Sequence, residues 1–424
     1  MPQVTTLYES WLTVARERRT EFALHDLAVR RRWSFGELAD EAAAGANGAG
    51  PVAFPQGAGA GFVLTVLRAW RAGQLVCPLE PSQPRPDVAW PAAPIVHLKT
   101  TSATTSEPRL IAFTADQLAA DARNLVSTMG LRSDWPNLGV ISLAHSYGFS
   151  NLVTPLLLHG IPLILGASAL PEAVRRAAQG EAALTLPAVP ALWRVWHETH
   201  AIPPNLRLAI SAGAPLPTTL ERAVFEATGV KLHNFYGASE CGGIAYDRTA
   251  TPRAGGSLAG TPVDHVALSP CDDGCLDIRG PNVASGYWPD ATSSLTGGVF
   301  HASDLAELRG DQIFLLGRAG DVIHVAGRKV APETIERALL ENHLVREALV
   351  LGLPVEGGRE EVIAAVLVCR APVKVSELRE FLLARLPAWQ VPRHWRVEEE
   401  PLANARGKVA RAHWRRVLQR SPGP

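Results

Sequence analysis

Gly317-Arg318-Ala319-Gly320-Asp321-Val322-Ile323-His324-Val325-Ala326-Gly327-Arg328-Lys329-Val330-Ala331-Pro332-Glu333 is the stretch that decides how this chain is divided. To its left, Gln312 to Leu316 is a short apolar run with strand character. To its right, Asp321 to Ala326 is a second, with Arg-Ala-Gly wedged between them. Two readings fit. One is a β-hairpin turn, since short glycine turns between strands are common. The other is a joint between two bodies, in which Gly320 reaches backbone angles closed to other residues. Rotation there would carry Arg318 and Asp321 into or out of a cleft.

The whole chain is larger than a hairpin protein. Its 424 residues suggest two or three domains, and 47% hydrophobic with 19% charged residues is the balance of a globular protein with a full core. Basic and acidic residues number 41 each, so no global field draws the chain to nucleic acid or an anionic membrane, and an anionic ligand must be held locally. Cys77, Cys241, Cys271, Cys275 and Cys369 contain no Cys-x-x-Cys pair, which argues against a disulfide framework and a structural zinc site and suits a reducing cytoplasm. Met1 to Glu9 lacks a signal-peptide pattern. No apolar run approaches the ~20 residues of a membrane helix, so a soluble protein is expected.

Outward from the joint, strand and helix patterns alternate. Helices are expected at Leu7 to Arg18, after Ser34 (with Glu37 completing a capping box), and at Phe62 to Ala72, Asp116 to Met129, Leu152 to Leu158, Glu172 to Ala178, Pro190 to His197 and Leu220 to Thr228. Strands are expected within Ala23 to Trp33, at Leu75 to Leu79, Ile95 to Leu98, Gly139 to Ala144, Pro162 to Leu165, Ala183 to Leu186, Leu206 to Ser211 and Val230 to Phe235. That rhythm predicts an α/β fold with mostly parallel sheets covered by helices. Gly255 to Gly280 reads as an antiparallel, glycine-punctuated region. Beyond Gly320 a small α+β body follows, with helices at Pro332 to Asn342 and after a Ser376 cap, and strands at Glu347 to Leu353 and Glu361 to Cys369.

Several polar clusters follow strands. Lys99 to Arg109 carries six hydroxyl side chains over residues 100–106 and ends in a cation, which suits either a phosphate cradle or a polar surface loop. His145-Ser146-Tyr147-Gly148-Phe149 stands where open α/β sheets place ligands, although a histidine there also serves structure. Tyr236-Gly237-Ala238-Ser239-Glu240 offers a ring, a close-approach glycine, a hydroxyl and a carboxylate just past a strand, and a tight turn would also explain it. Asp304 could accept both hydrogen bonds of a diol. Gly407-Lys408 lies in a tail loop.

Taken in order, Thr101 to Arg109, His145 to Gly148, Tyr236 to Glu240, Gly280 to Trp288, Asp304, Arg318 to Pro332 and Gly407-Lys408 resemble the adenylate-forming superfamily, which includes acyl- and aryl-CoA synthetases. The resemblance covers nearly the whole chain. It implies a large AMP-binding domain over 1–318 and a small mobile domain over 319–424 hinged at Gly320. The implied reaction activates a carboxylic acid with ATP and magnesium, releases pyrophosphate, and passes the acyl group to coenzyme A or a carrier protein's phosphopantetheine. The resemblance further implies that Thr101, Ser102, Thr104, Thr105 and Arg109 cover the phosphates, that Tyr236 and Gly237 meet adenine, and that Ser239 meets phosphate. Asp304 and Arg318 would then hold the ribose, Glu240 would ligate magnesium, and Lys408, Glu240 and His145 would carry the chemistry. His145, Gly148, Ser211, Gly213 and Ala214 would line the acid pocket, and the absence of a carboxylate from 145–151 suits an apolar or aryl acid. The phosphate loop departs from the family at Ala103, Ser106 and Arg109, where two glycines and a lysine are usual. A catalytically weak nucleotide-binding interaction protein is the alternative reading. A P-loop phosphotransferase would need a GK[ST] ending that the loop lacks.

Overall fold

In the computed structural model, which describes residues 6–46, 48–100, 109–166, 168–355, 361–402 and 411–420, short polar residues set the first helix starts. Thr6, Ser34 and Thr114 each accept a backbone N–H from the third helical residue, and Glu9, Glu37 and Gln117 accept the cap's own N–H in return. The helices Leu7–Glu17, Phe35–Ala44, Ala60–Arg71 and Ala115–Met129 then bury Trp11, Phe35, Phe62 and Leu125 in one core. Among the described residues no helix is long and apolar enough to cross a membrane.

The strands between helices build an 11-stranded sheet. Its centre is parallel, in the spatial order Phe22–Asp26, Leu163–Leu165, Asn137–Leu138, Leu184–Ala188, Leu206–Ser211, Leu232–Ala238. Such strands are covered on both faces, and every residue of Leu184–Ala188 is buried. Past Leu232–Ala238 the direction reverses, and Gly242–Tyr246, Leu258–Pro262, Gln312–Arg318 and Asp304–Arg309 continue the sheet antiparallel. A five-stranded mixed sheet contains Ile95–Thr100, Leu110–Thr114 and Gly286–Trp288, and a four-stranded antiparallel sheet contains Ala267–Pro270, Leu276–Arg279 and Val299–His301. The architecture is thus the mostly parallel, helix-covered α/β arrangement with an antiparallel region.

The hairpin reading of the joint is overturned. Both edges of Gln312–Arg318 are occupied, by Asp304–Arg309 and Leu258–Pro262, whereas Ile323–Val325, which follows the 3-10 turn Ala319–Asp321, pairs with Arg328–Val330. Ile323, Ile335, Leu339, Val350, Leu367 and Leu378 form their own hydrophobic cluster, built on Val345–Pro354, Glu361–Cys369 and His394–Glu398. Gly320 is exposed, and an added Cβ would meet nothing within 4 Å among the described residues. Close approach is needed instead at Gly317, where a Cβ would collide with the Glu333 carboxylate and lie 2.7 Å from Ala331 Cβ.

Other local expectations shift for identifiable reasons. Leu75–Val76 is shorter than expected because Pro78 contributes no N–H to the ladder. Asn137–Leu138 makes one more bond, Gly139 N–H to Ile164 O at 2.8 Å, and then leaves the sheet, so 139–144 is a loop that an apolar run alone does not distinguish from a strand. Phe149–Val153 is a π-helical turn leading into Thr154–His159. Lys374 precedes Val375–Leu383, placing Ser376 inside that helix rather than at its cap.

Two ion networks, one buried and one half-buried, lie outside the expectations. Glu221 is paired with Lys231 Nζ and, at 2.9 Å, with Arg253 Nε; Lys231 Nζ also lies 2.6 Å from Asp247 Oδ2, and all four side chains are nearly solvent-free. Near the joint, Arg411 meets Asp321 Oδ2 at 3.2 Å, Glu333 Oε1 at 3.2 Å and Glu336 Oε1 at 3.0 Å.

Removing Glu221 leaves two buried cations under-compensated. Glu221→Ala should therefore cost ~3–5 kcal/mol of stability, read as a lowered urea midpoint. Burial pushes Glu336 up to about 7 even though Arg411 opposes the shift. The folded state thus holds this proton more tightly than the unfolded chain, so the penalty is absent below about pH 4.5, grows as pH rises from there to about 7, and levels off above it. Glu336→Gln should be near neutral at about pH 4 and more stable than wild type by ~1–3 kcal/mol at about pH 8, checked by denaturant midpoints at the two pH values.

Candidate functional site

Strand pairing brings the first group together. Tyr236 lies in Leu232–Ala238, Asp304 begins Asp304–Arg309, and Arg318 ends Gln312–Arg318 directly opposite Asp304. Tyr236 Oη donates to Asp304 Oδ2 at 2.8 Å, and Arg318 Nε lies 3.5 Å from Asp304 Oδ1. Burial, then the neighbouring Asp304 charge, holds the Tyr236 phenol well above its usual range, so it remains a donor. The Asp304 side chain keeps 25% exposure beside the exposed Arg318, so this carboxylate is approachable from solvent. Tyr236, Gly237 and Ala238 sit within the strand rather than past it, paired to Gly242–Tyr246.

Ser239 and Glu240 occupy the turn that follows. Glu240 Oε1 accepts from Tyr287 Oη at 2.8 Å, and the Arg109 guanidinium lies 5.4 Å from the centre of the Tyr287 ring. Tyr287 reaches this position because Gly286–Trp288 pairs with Leu110–Thr114, the strand that begins beside Arg109. Burial and the Glu240 charge also raise the Tyr287 phenol. Carboxylate oxygens are the donors a hard divalent cation requires, so Glu240 fits magnesium by donor type.

A second group gathers at the ends of the parallel strands. Tyr147 Oη reaches Ala188 O at 3.5 Å and Ile210 O at 3.4 Å, and its ring centre lies 6.0 Å from that of Phe235. The short helix Ser146–Gly148 is thereby laid across three strand ends. Gly148 must be glycine, because a Cβ would collide with the Ser142 carbonyl. Ser211 is fully buried and its Oγ has no hydrogen-bond partner among the described residues, while Gly213 and Ala214 are exposed just beyond it. His145 Nε2 stands 3.2 Å from Glu80 Oε1, which Ser142 Oγ also donates to.

Thr101, Ser102, Thr104, Thr105 and Lys408 lie outside the described residues. Three participants escaped the sequence reading. Glu80 stands in a proline-rich stretch far from His145, Tyr287 enters only within the motif Gly280 to Trp288, and Lys99 counts with the hydroxyl loop. Lys99 is instead a buried residue of Ile95–Thr100, 3.9 Å from Asp121 Oδ2 and 3.3 Å from Ser150 Oγ, with burial lowering its pKa. None of these has a local signal, because each partner lies tens of residues away.

The AMP-binding enzyme family model matches residues 80–288. A probable 2-succinylbenzoate–CoA ligase of Mycobacterium tuberculosis is 30% identical over 341 residues, which are 74% of this chain and 82% of that protein. The 2-succinylbenzoate–CoA ligase of Bacillus cereus is 28% identical over 341 residues, 75% of this chain and 69% of the ligase. In fold, the chain is similar to the o-succinylbenzoate CoA synthetase of Bacillus subtilis solved with its acyl-adenylate, with a TM-score of 0.81 at 20% identity over 96% and 97% of the two chains. The ordered motifs, the sheet that reverses direction at Tyr236 to Glu240, and a relative matched over most of its length have one common explanation: this chain belongs to the adenylate-forming superfamily of AMP-dependent acid–thiol ligases.

Proposed function

We propose that the chain activates an apolar or aromatic carboxylic acid with ATP and transfers the acyl group to coenzyme A. The observation that carries the nucleotide half is the convergence of Tyr236, Asp304 and Arg318 from three strands on one approachable carboxylate. Asp304 accepts the ribose hydroxyls, Arg318 steadies that carboxylate, and the Tyr236 ring packs against the base. Arg109 and the hydroxyls of residues 101–105 hold the phosphates. Glu240, oriented by Tyr287, would hold magnesium, which when bound offsets phosphate charge.

The acid lies against Tyr147, Ser211, Gly213 and Ala214, with His145 and Gly148 at its edge. Its carboxylate oxygen attacks the α-phosphorus, the bond to the β-phosphate breaks, and pyrophosphate leaves. Lys408 offsets the charge that gathers as two anions approach. A thiol then attacks the acyl carbon and AMP departs. The apolar lining from Tyr147 and Phe235 suits an aryl acid, as do the 2-succinylbenzoate ligases that the chain resembles. Glu80 is engaged by His145 and Ser142, which disfavours its use as an ammonium partner.

Residues 319–424 act as a domain that turns about Gly320 between the two half-reactions. Open space around Gly320 among the described residues supports that use, and a cytoplasmic setting with ATP and reduced thiols suits the reaction.

Acid-dependent pyrophosphate release from ATP and magnesium is the decisive measurement, run with aryl, fatty and amino acids. One aryl or apolar acid should give release, and Lys408→Ala should lower that rate at least ~100-fold. ATP binding without release from any acid would instead favour the interaction-protein reading, and acyl transfer to a carrier protein but not to coenzyme A would change the acceptor. Asp304→Ala should raise the KM for ATP by ~10–100-fold with a smaller change in kcat, as expected for lost hydrogen bonds to a charged acceptor.

A further inference from the structure

The four-stranded sheet turns two faces in different directions. Pairing aligns Leu268 with Ile278 and Ile278 with Phe300, and these side chains point into the main core. Strand alternation therefore puts Ser269, Asp277 and His301 on the opposite face. Asp277 is directly paired with His301, and one step past the Pro270–Leu276 pair the same alternation brings Cys271 and Cys275 to that face. Sequence spacing argues against a structural zinc site, because the five cysteines contain no Cys-x-x-Cys pair, yet strand pairing gathers a mixed set of ligand types here.

The contacts are specific. Cys271 Sγ lies 3.8 Å from His301 Nδ1, and His301 Nδ1 lies 3.0 Å from Asp277 Oδ1. The ligand atoms of Cys271, Asp277 and His301 all fall within 4.8 Å of one another. Tetrahedral zinc, with bonds of ~2.0–2.3 Å, places sulfur and nitrogen about 3.5 Å apart and nitrogen and oxygen about 3.3 Å apart. The Sγ–Nδ1 and Nδ1–Oδ1 distances each lie within a few tenths of an ångström of those values. Asp273 Oδ2 holds the other ring nitrogen, Nε2, at 2.9 Å, and Asp273 Oδ1 accepts from the Cys275 amide at 3.0 Å. A carboxylate on the far nitrogen is how metal-ligating histidines are usually oriented.

We propose that Cys271 Sγ, His301 Nδ1 and Asp277 form a binding site for a zinc-class divalent ion, with Asp273 as the residue that positions His301 and water completing the shell. Binding releases the Cys271 thiol proton to solvent. The ion ties the 271–275 turn to the strand Val299–His301, which leads into Asp304 three residues later, and so braces the antiparallel region from outside the nucleotide site.

The test is titration of the reduced, metal-stripped full chain with Co²⁺, followed by Zn²⁺. One equivalent of Co²⁺ should give a thiolate-to-cobalt charge-transfer band, and Zn²⁺ should abolish it because zinc binds such sites more tightly. Cys271→Ser should remove the band, Asp273→Asn should weaken Co²⁺ binding ~10-fold or more, and Cys369→Ser should change nothing. Thermal melting of the Cys271→Ser protein checks that it remains folded. Absence of a saturable band in the wild type, or a band that survives Cys271→Ser and disappears with Cys275→Ser, overturns the assignment.

Discussion

Glu221 is a carboxylate with no solvent contact, and the part of the molecule that carries the candidate site depends on how its charge is answered. Lys231 and Arg253 face it, Asp247 balances Lys231, and Arg253 also donates to the carbonyls of Leu216 and Leu258. Two cations and two anions withdrawn from water are tolerable only as a complete set, since any missing member leaves an uncompensated charge. The set clamps helix Thr218–Thr228, the start of Leu232–Ala238 and the approach to Leu258–Pro262 in one arrangement. This is where the sheet changes from parallel to antiparallel.

From that clamp the strand Leu232–Ala238 runs to the polar groups at its other end. Because the sheet reverses beyond it, residues from the parallel strand ends and from the antiparallel hairpin Asp304–Arg318 meet there. The Tyr236–Asp304 hydrogen bond stitches the two regions, and Glu240–Tyr287 adds the edge of the five-stranded sheet. At the joint itself the close contact is Glu333 against Gly317, and Arg411 gathers three carboxylates from both sides of the helix start at Pro332. Charge and close packing therefore attend the residues around Gly320, while an added Cβ at Gly320 itself would touch none of the described residues.

Much of this was legible in local patterns. The Ser34–Glu37 capping box, the helix near Asp116 to Met129 and the strand Leu206–Ser211 follow from signals spanning a few residues, and they occur where those signals lie. The ordered motifs also pointed to the family before any strand pairing was known. Glu80 beside His145, Tyr287 beside Glu240 and Lys99 beside Asp121 were not legible, because each pair joins segments with no sequence relation. The strand expected at 139–144 failed for a related reason: an apolar run records burial, and burial serves loops as well as strands.

The sequence by itself determined the order of helices and strands, the residue types available for the chemistry, and the likeness to one superfamily, since these depend on capping, periodicity and motif order within short spans. Only the tertiary structure decided that the strands flanking Gly320 belong to different sheets, that Asp304 faces both Tyr236 and Arg318, and that Cys271, Asp277 and His301 share one face. Pairing partners are chosen by what burial and hydrogen bonding of the whole sheet allow, and no short window of sequence carries that information.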